Sequence, residues 1–298
     1  DGEFLSPHPY ITLLYDEIAY NGNDSGRTHN IYIGFDNNHQ LVFNMKYSWS
    51  HDAYVGHVLK TRAPYNNIYY NMIGDALGNS SYILDFPLGG TTYIVGNVFY
   101  KARSKNKLGN SAWMFWRDIY DNEPFYPVYG KPHEDLHFIN NTVVLDPATT
   151  DPSFVVTACE NSDFTTCPPP RNGPVLSTNE VVENNIFIGP MRKATNQKTA
   201  MVSHNLIEAN TPANLAALFV DPAHHNYHLV SGSPAIGRGI YPPTNNTGAA
   251  DPKALARDEY VQPTAGAARP KPTGISMDDG AYSYLPARSS TRAHRDSQ

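Results

Sequence analysis

Charge is scarce in this chain of 298 residues: Asp, Glu, Lys and Arg make up 17%, and the formal net charge is −6. A nucleic-acid-binding protein normally carries a basic excess, so that class is excluded. No run of 18 apolar residues occurs, and no transmembrane helix is expected. Long helical periodicity is missing too; PANLAALF, residues 212–219, is the best short helix candidate. Cysteine is limited to Cys159 and Cys167, in a polar, Pro-flanked stretch. The pair fits a local disulfide of an oxidising compartment, and it fits two free thiols equally; its setting does not resemble a zinc site. What is plentiful is Tyr (20), Pro (24) and Gly (21), a balance that suits an all-β protein better than a helical one. Sequons begin at Asn23, Asn79, Asn140 and Asn245, which chance alone supplies in an Asn-rich chain. The chain starts at Asp1 with no signal peptide and enters a repeat almost at once, as expected of a processed or truncated piece of a longer protein.

The repeat is a short apolar run around an Asn. It recurs as IAYN (Ile18–Asn21), LVFN (Leu41–Asn44), IYYN (Ile68–Asn71), IVGN (Ile94–Asn97), FINN (Phe138–Asn141), VENN (Val182–Asn185) and VSHN (Val202–Asn205). The Asn-to-Asn gaps are 23, 27, 26, 44, 44 and 20. Short gaps match one coil of a parallel β-helix, and the long ones match coils with insertions. Asn suits such coils because it tolerates the left-handed backbone of a sharp turn and its amides can bond in a ladder between coils. The competing arrangement is a sandwich with Asn in hairpin turns. Further short strands are expected in NIYIGF (Asn30–Phe35), HVLKTRA (His57–Ala63), SYILDF (Ser81–Phe86) and AWMFWRD (Ala112–Asp118). The fold class read from this pattern is all-β, a single right-handed parallel β-helix. Residues 1–240 are its coils, with insertions near 101–135 and 145–180. Residues 241–285 are a Pro/Gly-rich extension closing on the solenoid, and 286–298 a disordered tail.

Two stretches carry a resemblance. Ser50–Gly90, with GHVLKTRA, NNIYYN and SYILDFPLGG, resembles bacterial secreted right-handed parallel β-helix repeat proteins of the pectate-lyase-like superfamily. FVDPAHHNYHLVSGSPAIGRGI (Phe219–Ile240) resembles their closing coil, and MDDGAYSY (Met277–Tyr284) their last strand. The resemblance implies a secreted or cell-surface protein acting on polysaccharide. Signatures of polygalacturonases, classical pectate lyases and alginate epimerases are missing from the sequence. The superfamily hosts lyases, hydrolases, epimerases and phage spikes, so fold alone does not choose among them.

Equivalent residues of adjacent coils lie roughly 4.8 Å apart, so residues about 25 apart in sequence become neighbours. A shift of that size sets Asp85 beside Lys60 and Tyr82 beside His57, with Tyr32 one coil earlier. Alternation puts Lys60 and Arg62 on one face of their strand. This suits β-elimination on a uronate-containing polysaccharide, which needs a base, a cation for the enolate-like charge and an acid for the leaving oxygen. Lys60 is the candidate base with its pKa lowered by Arg62, Arg62 the alternative carboxylate fork, and His57 or Tyr82 the acid. Asp85 and Asp52, with Asp75 in reserve, are candidate ligands for Ca²⁺, a hard ion that takes oxygen. His51, Trp113, Trp116 and Arg117 are the expected substrate contacts, through hydrogen bonds and rings stacked on sugar. The bland alternatives are a cross-coil salt bridge, a satisfied corner histidine and buried tryptophans. In His224, His225 and His228 a structural role outweighs a metal site. Competing functions are a non-catalytic glycan-binding or scaffold protein, a phage-type spike, and a hydrolase using Asp85 with Asp118 or Asp52.

Overall fold

Short β-branched and aromatic runs, separated by polar breaks, leave the chain little choice but short strands. The computed structural model describes residues 8–35, 40–103, 105, 113–116, 135–148, 154–158, 179–191, 193–195, 200–241, 243, 249–271 and 276–285. The chain visits three sheets in turn. Round one is β1 (Tyr10–Leu14), β2 (Glu17–Ala19) and β3 (Ile31–Ile33); round two is β4 (Val42–Lys46), β5 (Trp49–His51) and β6 (Leu59–Thr61). Round three is β7 (Tyr65–Tyr69), β8 (Met72–Asp75) and β9 (Leu84–Phe86); round four is β10 (Thr91–Val95), β11 (Val98–Lys101) and β12 (Met114–Trp116). Round five is β13 (Asp135–Ile139), β14 (Thr142–Leu145) and β15 (Phe154–Ala158); round six is β16 (Asn179–Glu183), β17 (Ile186–Ile188) and β18 (Lys193–Thr195). Round seven adds β19 (Met201–Ser203) and β20 (Leu206–Glu208).

The first strands of the rounds form one seven-stranded sheet, the second strands another, and the third strands a six-stranded sheet. Their pairing is parallel throughout, as in Met45 opposite Ile68, Ile68 opposite Ile94 and Ile94 opposite Phe138. The protein is therefore all-β with three long parallel sheets, compatible with a solenoid-like fold. Inward side chains stack in columns. Phe99, Phe138 and Phe187 meet at ring separations of 6.0 Å, within a core that also holds Met45, Leu59 and Ile73.

Between the first and second strands of every round there are two residues. The second of the pair builds a buried ladder. Asn71 Nδ2 donates to Asn97 Oδ1 (3.0 Å), Asn97 to Asn141 (3.1 Å), Asn141 to Asn185 (3.2 Å) and Asn185 to Asn205 (2.8 Å). Each acceptor oxygen also takes the backbone N–H of the Asn one round earlier. Each amide's other hydrogen goes to a main-chain carbonyl, such as Ile68 O for Asn97 and Ile94 O for Asn141. Upstream, Ser48 and then Asp16 hold the equivalent place: Ser48 N donates to Asn71 Oδ1 (3.0 Å) and Asp16 N to Ser48 Oγ (3.1 Å).

This corrects the sequence reading in two respects. Asn21 and Asn44 belong to the repeat by pattern but not to this ladder. Asn21 follows β2 in a loop, and Asn44 lies within β4, where its oxygen accepts from Asn67 Nδ2 (2.9 Å). Nor does the ladder residue adopt the left-handed backbone. Its predecessor does: Tyr15, Tyr47, Tyr70, Gly96, Asn140, Asn184 and His204 all have φ between 48° and 68°. In the first three rounds the tyrosines stack, Tyr15 on Tyr47 at 5.2 Å and Tyr47 on Tyr70 at 5.7 Å. At Gly96 a Cβ would lie 2.7 Å from the Tyr70 ring, so glycine relieves both the backbone and the contact.

The remaining chain covers this framework. The helix expected at 212–219 is present as α1 (Pro212–Leu218), capped by Thr211, whose hydroxyl accepts from Asn214 N at 3.2 Å. With β21 (Phe219–Asp221) and β22 (Asn226–Leu229), an antiparallel pair, it packs Leu218, Phe219, Tyr227 and Leu229 onto the outer face of the second sheet, against Val98, Tyr100, Ile186 and Leu206. His225 stacks on Tyr100 and His228 on Tyr282, both at 4.0 Å. The following segment runs along the ridge of left-handed residues. Asn184 donates to Ile240 O, Asn140 to Asp278 O, Tyr70 to Leu255 O and Tyr47 to Asp258 Oδ2 (2.6 Å). Buried Arg269 ties the strap to itself through the carbonyls of Asp278, Gly280 and Ala281. Most of 101–135 and 145–180, both cysteines and residues 286–298 lie outside the described residues.

Candidate functional site

Strand β6 carries the centre of the site. Leu59 and Thr61 turn inward and are buried, which leaves Lys60 on the outer face. Parallel register sets Tyr32 of β3 on one side of Lys60 and Asp85 of β9 on the other. Lys60 Nζ is 2.8 Å from Asp85 Oδ2, and His57 Nε2 reaches the same oxygen at 3.3 Å. Arg62, just beyond the strand, donates from Nη1 to the Tyr32 hydroxyl, and its guanidinium lies 5.3 Å from that ring's centre. Alongside runs a column of rings. His29 stacks on His57 at 4.6 Å and His57 on Tyr82 at 4.8 Å, with planes within 6°. That spacing is the strand repeat itself.

The His57 tautomer follows from its partners. Nδ1 accepts the Tyr82 backbone N–H (3.3 Å) and faces Ser81 Oγ at 2.6 Å. Nε2 therefore carries the proton toward Asp85. Burial, followed by the nearby His29 and Lys60, holds His57 well below its usual pKa, so it stays neutral. Beneath this group the turn after β8 is pinned from two sides. Asp75 accepts from the amides of Leu77, Gly78 and Ser80 and from Ser80 Oγ. Lys101 Nζ donates to the carbonyls of Ser80 and Ser81. Burial lowers Lys101 to about 8, with Asp75 opposing the shift.

The structure thus brings together Lys60, Arg62, His57, Tyr82 and Asp85 as the coil shift predicts. One neighbour differs. Tyr32 was expected beside His57; that place belongs to His29, and Tyr32 pairs with Lys60 and Arg62 instead. His51 and Asp52 sit apart, on and just after β5 in the second sheet. His51 Nδ1 lies 2.7 Å from Asp52 Oδ2 and Nε2 3.3 Å from Glu17, with the ring 3.9 Å from Trp49. Burial alone would lower His51, but its bonds to Asp52 and Glu17 outweigh it and the pKa is raised. Asp52 Oδ1 also accepts from the amides of Ala76 and Leu77. Asp85 and Asp52, the expected Ca²⁺ ligands, are engaged on different sheets. No group of three or more His, Cys, Asp or Glu is placed to hold a metal among the described residues, so Asp85 and Asp52 do not form a common Ca²⁺ site.

Trp113 and Trp116, expected to stack on sugar, are each 1% exposed. Trp113 packs on Phe99 at 5.2 Å, and Trp116 Nε1 donates to Thr92 Oγ1, so neither ring has a face to offer. Arg117 and Asp118 lie outside the described residues. The residues the sequence reading missed are Ser81, 24 positions from His57, and His29, 28 positions from it. The coil shift that found Asp85 reaches Ser81 as well, had Ser been counted among reactive types. Comparison with known proteins found no matching family model, no matching curated protein and no matching solved structure.

Proposed function

We propose that the chain is a right-handed parallel β-helix of the pectate-lyase-like kind, and an extracellular lyase that cleaves an acidic, uronate-containing polysaccharide by β-elimination. One observation carries this reading: Lys60, Arg62, His57, Tyr82 and Asp85 converge from two successive rounds on the outer side of one sheet. The roles shift from those expected of the sequence. Lys60 pairs with the Asp85 carboxylate at 2.8 Å, so it is assigned as the cation for the enolate-like charge rather than as the base. Arg62 adds a second cation for the uronate carboxylate. Neutral His57 is the base, and half-buried Tyr82 the acid for the leaving oxygen. A scaffold role has an observation of its own in its favour: Lys60–Asp85 and Arg62–Tyr32 are closed pairs, of the kind that also decorates inert sheets.

The two readings separate on a panel of pectate, alginate and glycosaminoglycans, assayed with and without Ca²⁺ for the ultraviolet absorbance of unsaturated uronate. The expected result is a rise with at least one substrate, reduced by a factor of about 100 or more in Lys60→Ala and Arg62→Ala. Reducing ends without absorbance would mean hydrolysis. Neither signal on any substrate would leave the scaffold.

A further inference from the structure

Elimination makes no use of Ser81, yet its side chain is the most tightly placed partner of His57. Ser81 Oγ lies 2.6 Å from Nδ1, the nitrogen whose lone pair the Tyr82 amide identifies as free of a proton. On the far side of the ring, Nε2 reaches Asp85 at 3.3 Å. Hydroxyl, imidazole and carboxylate therefore stand in one line, the hydroxyl hydrogen-bonded to Nδ1 and the carboxylate oxygen within ion-pair distance of Nε2, supplied by residues 24 and 28 apart that only the stacking of rounds brings together. The line is also rigid. Ser81 N donates to Gly56 O at 3.0 Å, its carbonyl is held by Lys101, and the imidazole is clamped between His29 and Tyr82.

We infer that Ser81 is the nucleophile of an acyl-ester hydrolase site, with His57 as its base and Asp85 as the positioning carboxylate, acting on short O-acyl groups carried by an anionic sugar. The hydroxyl oxygen attacks the acyl carbonyl carbon while its proton passes to His57 Nδ1. Collapse breaks the bond to the sugar oxygen, which leaves with that proton, and the acyl group stays on Ser81. Water then gives a proton to His57, attacks the acyl-serine and releases the carboxylic acid, which restores Ser81. Asp85 keeps the imidazole in the required tautomer and steadies its transient charge. The anionic character of the sugar rests on the elimination reading; the ester chemistry does not.

The test uses p-nitrophenyl acetate and a fluorophosphonate probe on the whole chain, with the labelled peptide identified by mass spectrometry. Wild type is expected to hydrolyse the ester and to be labelled at Ser81. Ser81→Ala should lose the label and at least a hundred-fold in rate. Asp85→Asn should lower kcat with KM little changed and shift the pH profile, which a purely structural role would not do. Ser81→Cys, which keeps a nucleophile in place, should be alkylated by iodoacetamide at position 81. An unlabelled wild type, or hydrolysis that persists in Ser81→Ala, overturns the assignment. Acetylated pectate distinguishes the two proposals. Acetate release without ultraviolet absorbance keeps the ester site and removes elimination; absorbance without acetate release does the reverse.

Discussion

Asn141→Ala is expected to lower the unfolding free energy by about 4 kcal/mol, a large share of what a single chain commands. Asn141 is fully buried and sits mid-ladder. Its oxygen accepts both the backbone N–H and the Nδ2 of Asn97, and its amide donates to Ile94 O and Asn185 Oδ1. Truncation leaves the Asn97 groups and the Ile94 carbonyl in the core without these partners, at roughly 1–3 kcal/mol for each one stranded. The informative control is Asn205→Ala. It removes the same kinds of bond at the end of the ladder, where burial is only partial and water can substitute, so a loss of about 1–2 kcal/mol is expected. Guanidinium titration of both variants, followed by far-ultraviolet circular dichroism, measures the difference. Equal losses would mean that the ladder is not what fastens the rounds.

Glu180→Gln is expected to stabilise the protein, and increasingly so as pH rises. Glu180 lies on β16 in register with Leu136 of the core and is 2% exposed. Burial pushes its carboxyl up to about 8, and the Thr195 hydroxyl offsets only part of the shift. The folded state thus holds a proton that the unfolded chain releases near its ordinary value of 4.5. The stabilisation this gives is complete below about pH 4.5 and is lost as pH climbs to about 8, because between those values the unfolded state binds fewer protons. Glutamine has no proton to lose. At pH 5 the two proteins should agree within about 1 kcal/mol, and at pH 8 the variant should lead by about 3–5 kcal/mol. Unfolding curves at both pH values read this directly. A difference that does not change with pH would place Glu180 in a setting far wetter than its exposure implies.

The legible part of the fold is the part governed by local rules. Asn71, Asn97, Asn141, Asn185 and Asn205 were visible as ladder residues because an Asn with apolar neighbours recurs at each. The ladder's beginning was not, because Ser48 and Asp16 can fill the same place: their oxygens and amides fit the corner, while two nearby Asn residues supplied a decoy spacing. The Lys60–Asp85 pair was legible because rounds two and three differ by one regular shift. Tyr32 was misplaced because the first round is longer: His57 bonds His29 across 28 positions. The fate of Trp113 and Trp116 could not be read from a three-residue strand, whose alternation does not say which face is the inner one. The partners of the 241–285 extension were hidden for a different reason. Its bonds join the chain's end to Tyr47 and Tyr70 across more than 180 positions, and no local pattern encodes them.

The two-residue corner has a consequence for how such a chain can change in length. Strand pairs Leu14/Glu17, Tyr69/Met72, Val95/Val98 and Ser203/Leu206 all keep the same step, whereas the distance from one ladder residue to the next ranges from 20 to 44. Because side chains alternate, one residue added at the corner would turn an entire strand inside out. Insertions and deletions are therefore filtered by position, rejected at the ladder and admitted where the chain enters or leaves the third sheet. Those permissive junctions border the face that carries Lys60, so length polymorphism in this architecture remodels the surroundings of the site while its reading frame stays fixed.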